Sequence, residues 1–558
     1  MKRKAVSKVF SLAMAAALCA GALAGCGSSP SQSEGSQESG GVEQQASSGE
    51  EGSTGGTESS GGEQSSDTSK IIVGMNTDPI TFDPYVSNNT GRLVVFPEIY
   101  EPLAAYDSMG GEFNGVIAKS WEWVDDTTVD ISIYDYIHDS AGNPITASDV
   151  VFSWETAQAS GNFSKITPVG SVTALDDYTI EFVWTSEVLK DDFESIISEV
   201  YIVSEKAYTE SGDGMATAPV GTGVYLMDNY VPGSSVTLVA NKDYWQSDDS
   251  LRKNATQKAN IDELEIQIIT ESSQLTMALE TGNIDITENC SSDFLYEFQD
   301  GGQYADDYDV HIFMDNRLRT LYPNCDEASA MSDVNLRKAV FYAIDTAALA
   351  QGCFGDLAVP AYTFGASCYG DFVQAWENED YFGFDLDTAK SYLEASGYDV
   401  SQPLVLIAQN TAEYSAMAQM TAVFLQQLGL NIDIQILETA QFNNQVKDPT
   451  TWDIMITHNA SYNLIISAWK SALDNRNFEW QGTRNFIKDD TLQELVLAAN
   501  AINSTDEDLD AVHQYLKENA YIYTLLNTEN GIVYNSNKIS GIYLGKTSNL
   551  VLGACTLK

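Results

Sequence analysis

Apolar and polar side chains alternate from Val129 through Ile131 and Ile133 to Tyr136, the two-residue period of a strand with one buried face. Ile71-Ile72-Val73-Gly74 reads as a shorter strand at the start of the patterned region. Other stretches repeat at the helical period. Thr146-Ala147-Ser148-Asp149 opens an apolar helix through Val150, Val151, Phe152 and Trp154, with Thr146 as its N-cap. Residues 336–344 and 416–428 carry the same period. After the second come Gly429 and then Ile432-Asp433-Ile434-Gln435-Ile436, so helix, glycine stop and strand make an αβ unit. The pattern persists from Lys70 to the end of the chain and predicts a mixed α/β body. At about 490 residues that body is too long for one simple core, and two or three lobes are expected.

Upstream of Lys70 the pattern is different. Lys2, Arg3, Lys4 and Lys8 flank an apolar, alanine-rich run over residues 9–23. The run falls short of the ~20 apolar residues of a comfortable membrane span and reads as a secretory signal peptide. It ends in Leu23-Ala24-Gly25-Cys26, which resembles a bacterial lipobox. That resemblance implies cleavage before Cys26, a signal peptide over 1–25, and a diacylglycerol on the Cys26 thiol. Residues 27–69 are almost entirely Ser, Gly, Glu, Gln and Thr without an aromatic residue, so they cannot bury enough apolar surface to offset chain entropy. With Cys26 they form a tether over 26–69, whose r.m.s. reach as a coil is about 35–40 Å.

Composition narrows the function by exclusion. A formal net charge of −52 argues against nucleic acid and against direct docking on anionic lipid, and suits an exported, soluble surface. Beyond Cys19 and Cys26 the cysteines are Cys290, Cys325, Cys353, Cys368 and Cys555; none has C-x-x-C spacing, and one or two disulfides are open with no assignment. The histidines His138, His311, His458 and His513 are scattered outside any metal-binding spacing. Neither a G-x-S-x-G elbow nor a Walker loop is present, so no enzyme is expected and no cofactor is called for. The acidic run Asp506-Glu507-Asp508 after Ser504-Thr505 reads as a capped helix start, with a calcium site as the sharper alternative.

Eight blocks then occur in a fixed order. They are Thr81-Phe82-Asp83-Pro84; Ile99-Tyr100-Glu101-Pro102-Leu103; Ile117-Ala118-Lys119-Ser120-Trp121-Glu122; and Pro144-Ile145-Thr146-Ala147-Ser148-Asp149-Val150. Pro219-Val220-Gly221-Thr222-Gly223-Val224-Tyr225 follows, with Asn241-Lys242-Asp243-Tyr244-Trp245, and then Leu279-Glu280-Thr281-Gly282-Asn283-Ile284-Asp285. The last two are Asp333-Val334-Asn335-Leu336-Arg337-Lys338-Ala339 with Ala343-Ile344-Asp345, and Ala389-Lys390 with Ser396-Gly397-Tyr398. Together they resemble the extracellular solute-binding proteins of family 5, which include the oligopeptide- and dipeptide-binding lipoproteins of bacterial ABC transporters. Most of these residues read as scaffold: Gly221-Thr222-Gly223 as permissive backbone, Tyr244 and Trp245 as core anchors, Arg337 and Asp345 as structural pairs.

The resemblance implies a two-lobed, periplasmic-binding-protein-like fold (venus flytrap) with an extra inserted subdomain. Lobe I would comprise 70–101, 209–271 and 521–558, subdomain II 102–208, and lobe III 272–520. It implies a membrane-anchored, extracytoplasmic protein that binds a peptide or related small polar solute by lobe closure. As a monomer it would hand its ligand to ABC permease subunits, with ATPase subunits engaged indirectly. The alternative is a ligand-binding sensor or surface lipoprotein not dedicated to transport. One departure bears on the ligand. Peptide binders of the family commonly carry Gly-Trp-x-x-Asp after the strand that is Trp452-Asp453-Ile454-Met455-Ile456-Thr457 here, and that Asp pairs with the peptide's α-amino group. This chain continues His458-Asn459-Ala460-Ser461-Tyr462-Asn463, without a carboxylate. A buried ammonium needs an anionic partner, so either another acid supplies it or the ligand lacks a free α-amino group. The implied site is a cleft lined by His458, Asn459, Ser461 and Tyr462, faced by Tyr85 and Asn89, with Asn410 and Tyr414 adding a polar group and an aromatic wall.

Overall fold

In the computed structural model, which describes residues 69–558 apart from 87–90, 109–110, 291, 380, 460–461, 479–481 and 546–548, the first expected strand is β1, Lys70–Met75. It belongs to an 11-stranded mixed sheet. The other strands, in chain order, are β2 (Tyr225–Val231), β3 (Ser235–Ala240), β4 (Glu263–Ile268), β5 (Ile286–Thr287) and β6 (Tyr308–Pro323). They are followed by β7 (Ala358–Pro360), β8 (Pro403–Gln409), β9 (Asn431–Leu437), β10 (Ile454–His458) and β11 (Tyr523–Asn535). The spatial order is β2-β3-β4-β1-β5-β11-β6-β10-β8-β9, with β7 paired to β11.

Two long strands join the two halves of this sheet. The first part of β6 pairs with the end of β11, Tyr308 opposite Asn535 through Met314 opposite Glu529. Pairing resumes at Leu318 opposite Asn527, and the second part of β6 turns its other edge to β10, Arg319 opposite His458. Residues 315–317 fall in the break. On one side of it lies the half built around β1, whose core runs without interruption into residues 102–208. Those residues form a four-stranded antiparallel sheet in the order Ala118–Asp125, Thr128–Ile133, Thr179–Trp184, Val169–Ala174, packed on α1 (Ala147–Ser160). On the other side, β8 and β10 have both faces covered. Leu404, Leu406, Ile454 and Ile456 enter one core, and Ile407 and Met455 another. This double burial is why the strand at 452–457 is almost wholly apolar rather than alternating.

Several expectations shift in detail. The helix expected over 416–428 is α3, Ala412–Gln427, N-capped by Thr411, and buries Tyr414, Met417, Ala418, Thr421, Ala422 and Leu425 along one stripe. Asp149 completes a capping box, accepting from the backbone N–H and the hydroxyl of Thr146, both at 2.8 Å. Thr505 and Asp508 form the same box, so the acidic run there is a helix start. In segment 272–287, β5 runs parallel to β1, Val73 opposite Ile286. The first half of β11 packs with the β8–β10 core. Gly221 and Gly223 hold no left-handed backbone; a Cβ there would stand 2.0 Å from the Ile99 carbonyl oxygen and 2.5 Å from that of Glu98. Arg337 and Asp345 do not pair with each other. Arg337 donates to the carbonyls of Met331, Ser332 and Asn519, while Asp345 caps the next helix through the Ala348 N–H. Cys325, Cys353, Cys368 and Cys555 are free thiols, and no disulfide forms among the described residues. No described helix is long and apolar enough to cross a membrane.

Candidate functional site: a polar cleft at the strand crossing

β1 and β5 run parallel, and in such sheets the carboxyl ends of the strands are where ligands bind. The residues just past those ends are Asn76 and Thr77, and Glu288 and Asn289. They line a cavity of about 320 Å³ together with Leu93 and Val94, with Phe313, Asp315 and Arg317 from the break in β6, and with Asn530 and Asn549. The Asn76 N–H donates to Asn289 Oδ1 at 3.2 Å, and Thr77 Oγ1 to Asn76 Oδ1 at 2.9 Å. The side-chain nitrogens of Asn76, Asn289 and Asn530 bond no described residue. Glu288 is half-buried and accepts from the Leu550 N–H at 2.9 Å, and desolvation raises its pKa. A smaller apolar pocket shares Leu93 and Asn549 with the cavity and is walled by Pro97, Tyr100, Tyr201 and Val551.

The break in β6 is tied to the loop after β10. Asn316 Nδ2 donates to the Tyr462 carbonyl at 3.0 Å, and the Asn459 N–H to the Leu318 carbonyl at 3.2 Å. Arg319, 7% exposed, sits between two carboxylates, Asp315 at 3.0 Å and Glu413 at 2.7 Å. Burial opposes its charge, but Glu413 and Asp315 outweigh that and hold its pKa above the usual value. His458 Nδ1 lies 2.7 Å from the Tyr414 hydroxyl and its ring is stacked on the tyrosine at 5.6 Å. Burial, then the charges of Arg319 and Arg317, push the His458 pKa down, so the imidazole is neutral at pH 7.

The expected site residues therefore divide. Tyr414 and His458 meet beside β6, and Tyr462 is tied to it separately, through its carbonyl and Asn316. Asn459 is fully buried, and its Oδ1 accepts from the Tyr322 hydroxyl and from Arg484, the latter at 3.2 Å. Asn410 is exposed and donates to Glu438 at 2.7 Å. Tyr85 lies in the core instead of facing the cleft: 1% exposed, it donates to the Tyr201 carbonyl at 2.9 Å and packs against Phe163 and Tyr208. Asn89, Ser461 and Cys26 lie outside the described residues. Sequence reasoning missed Asp315, Arg317 and Arg319. The available signal was Asp315-Asn316-Arg317, three consecutive polar residues in the middle of a 16-residue strand.

The family description "Bacterial extracellular solute-binding proteins, family 5 Middle" matches residues 112–472. The Escherichia coli protein named "Probable D,D-dipeptide-binding periplasmic protein DdpA" is 22% identical over 504 residues, 83% of this chain and 91% of that protein. The periplasmic murein peptide-binding protein MppA of Escherichia coli is 22% identical over 399 residues, 66% of this chain and 71% of MppA. Its unliganded open form superposes with a TM-score of 0.75 at 17% identity, covering 88% of this chain and 98% of that one. The nickel-binding protein NikA of Staphylococcus aureus is 22% identical over 349 residues, 62% of this chain and 65% of NikA. Its complex with Ni(L-His)2 superposes with a TM-score of 0.61 at 17% identity, covering 88% of this chain and all of the other. The solved structures share the two-lobed fold.

Proposed function

From the premise that this chain belongs to the bacterial extracellular solute-binding proteins of family 5, we propose that it is the membrane-tethered binding component of an importer and that its ligand is a short peptide. The observation that carries this reading is the cavity at the strand crossing. Asn76, Thr77, Asn289 and Asn530 offer amide and hydroxyl groups suited to peptide backbone, and the adjoining apolar pocket suits one aliphatic side chain. Tyr414, His458 and Tyr462 form the facing wall. Bending at the break in β6 and at the neighbouring part of β11 lets the two halves close on the ligand, a population shift that the ligand drives by touching both. The closed monomer is what permease subunits engage. Lipidation of Cys26 holds the protein on the outer face of the membrane, and residues 27–69 give it reach.

Native mass spectrometry of protein purified without denaturation from the membrane fraction tests both parts. A peptide-sized mass bound one to one, and release of the Cys26→Ser variant from the membrane fraction, are the expected outcomes. A nickel–histidine chelate in place of the peptide would transfer the ligand class to that of the nickel-binding relative. Retention of Cys26→Ser in the membrane fraction would refute the anchor.

A further inference from the structure

The loop after β10 lacks a carboxylate, and the structure accounts for the acids around it. Asp315 and Glu413 are both committed to Arg319, at 3.0 and 2.7 Å. Asp371 is committed to the start of α4 (Ile465–Leu473), where it accepts from the backbone N–H groups of Ile465 and Ile466. Glu288 is half-buried and accepts from the Leu550 N–H, and burial raises its pKa. Each of these acids already has a partner within the fold. The cation is in the opposite situation. Arg317 is exposed, it is the only basic residue among the described residues lining the cavity, and its guanidinium makes no hydrogen bond or ion pair with a described residue. It lies in the three-residue break of β6, where no ladder partner fixes the strand, next to the asparagine-lined floor on one side and the Tyr414–His458 pair on the other.

We propose that Arg317 anchors a carboxylate of the ligand, so that this cleft selects short acids by their anionic end rather than peptides by their α-amino group. The inference rests on the peptide reading above and specifies it. A guanidinium presents two parallel N–H donors that match a carboxylate, and the pair is strongest in a site shielded from bulk water. The charge of the surroundings fits a monoanion. One unpaired guanidinium faces a ring of neutral amides, while the paired Asp315 and the −52 charge of the whole protein oppose a dianion such as phosphate.

Calorimetric titration with pairs of dipeptides and tripeptides tests this, each as the free acid, as the C-terminal amide and as the N-acetyl acid. Free acids should bind the native protein on the order of ten- to a hundredfold more tightly than their amides, the worth of a charge-assisted hydrogen-bonded pair. N-acetylation should cost little. Arg317→Gln should erase the acid–amide ratio by weakening the acids alone, and Arg317→Lys should restore part of it. Because the side chain is exposed and unpartnered, both variants should melt with the native protein. Equal binding of acid and amide by the native protein, or a ratio that survives in Arg317→Gln, would overturn the proposal and leave the peptide reading standing. Binding of no member of the set would overturn the peptide reading and the proposal with it.

Discussion

Glu101 shows how a single residue in a block that resembles the family can serve the fold rather than the ligand. It is 1% exposed, and its carboxyl receives the Trp245 Nε1–H at 2.7 Å and the Tyr244 hydroxyl. Tyr244 and Trp245, read from the sequence as core anchors, are anchored by this acid. Burial raises the Glu101 pKa from its ordinary 4.5 to about 7, more than the two hydrogen bonds lower it. The folded protein thus keeps this proton where the unfolded chain gives it up. The associated stability is complete below about pH 4.5 and is lost as pH rises through about 7, a span worth up to about 3 kcal/mol. Chemical denaturation of the native protein and of Glu101→Gln across this range should show the native advantage shrinking with rising pH. A difference that does not vary with pH would mean that the carboxyl stays ionised in the fold.

At the level of elements, α2 (Lys190–Ile197), in the segment expected as subdomain II, is clasped to α4 on the far side of the strand crossing. Lys470 pairs with Asp192 and, at 3.5 Å, with Asp191, which also accepts from Ser467; the Lys190 N–H reaches the Asn500 carbonyl at 2.9 Å. Burial opposes the charge on Lys470, but Asp191 and Asp192 outweigh it and raise its pKa. Removing one partner strands the others, so Lys470→Met should cost on the order of 3 kcal/mol by urea denaturation. Adding Asp191→Asn and Asp192→Asn should recover much of that loss. A single-variant loss within about 0.5 kcal/mol, the range of ordinary surface substitutions, would show that the clasp is solvated and idle. This contact also marks where sequence reading stops. β1, α1 and α3 were legible because each carries its own apolar pattern within a short stretch of chain. The Lys470 clasp spans 278 positions and the Arg319–Glu413 pair 94, and no local pattern announces either. The same holds for the parallel partnership of β1 with β5, which spans 213 residues.

For the whole molecule, the site owes its position to connectivity. β6 and β11 both pass between the halves of the sheet, and the break at 315–317 falls where they do so. Family membership was legible from the order of eight sequence blocks, whereas the cleft's charge became visible only once Asp315 and Glu413 were seen to be spent on Arg319. The break in β6, beside a stretch of β11 that stays paired to β7, is where the proposed closure would bend, and small-angle scattering reads this directly. Saturation with a short peptide acid that binds one to one should reduce the radius of gyration and, at about a hundredfold excess over Kd, add roughly 2.7 kcal/mol of stability, seen as a higher melting temperature. Tight, stoichiometric binding that leaves the radius of gyration unchanged would contradict closure about β6 and β11.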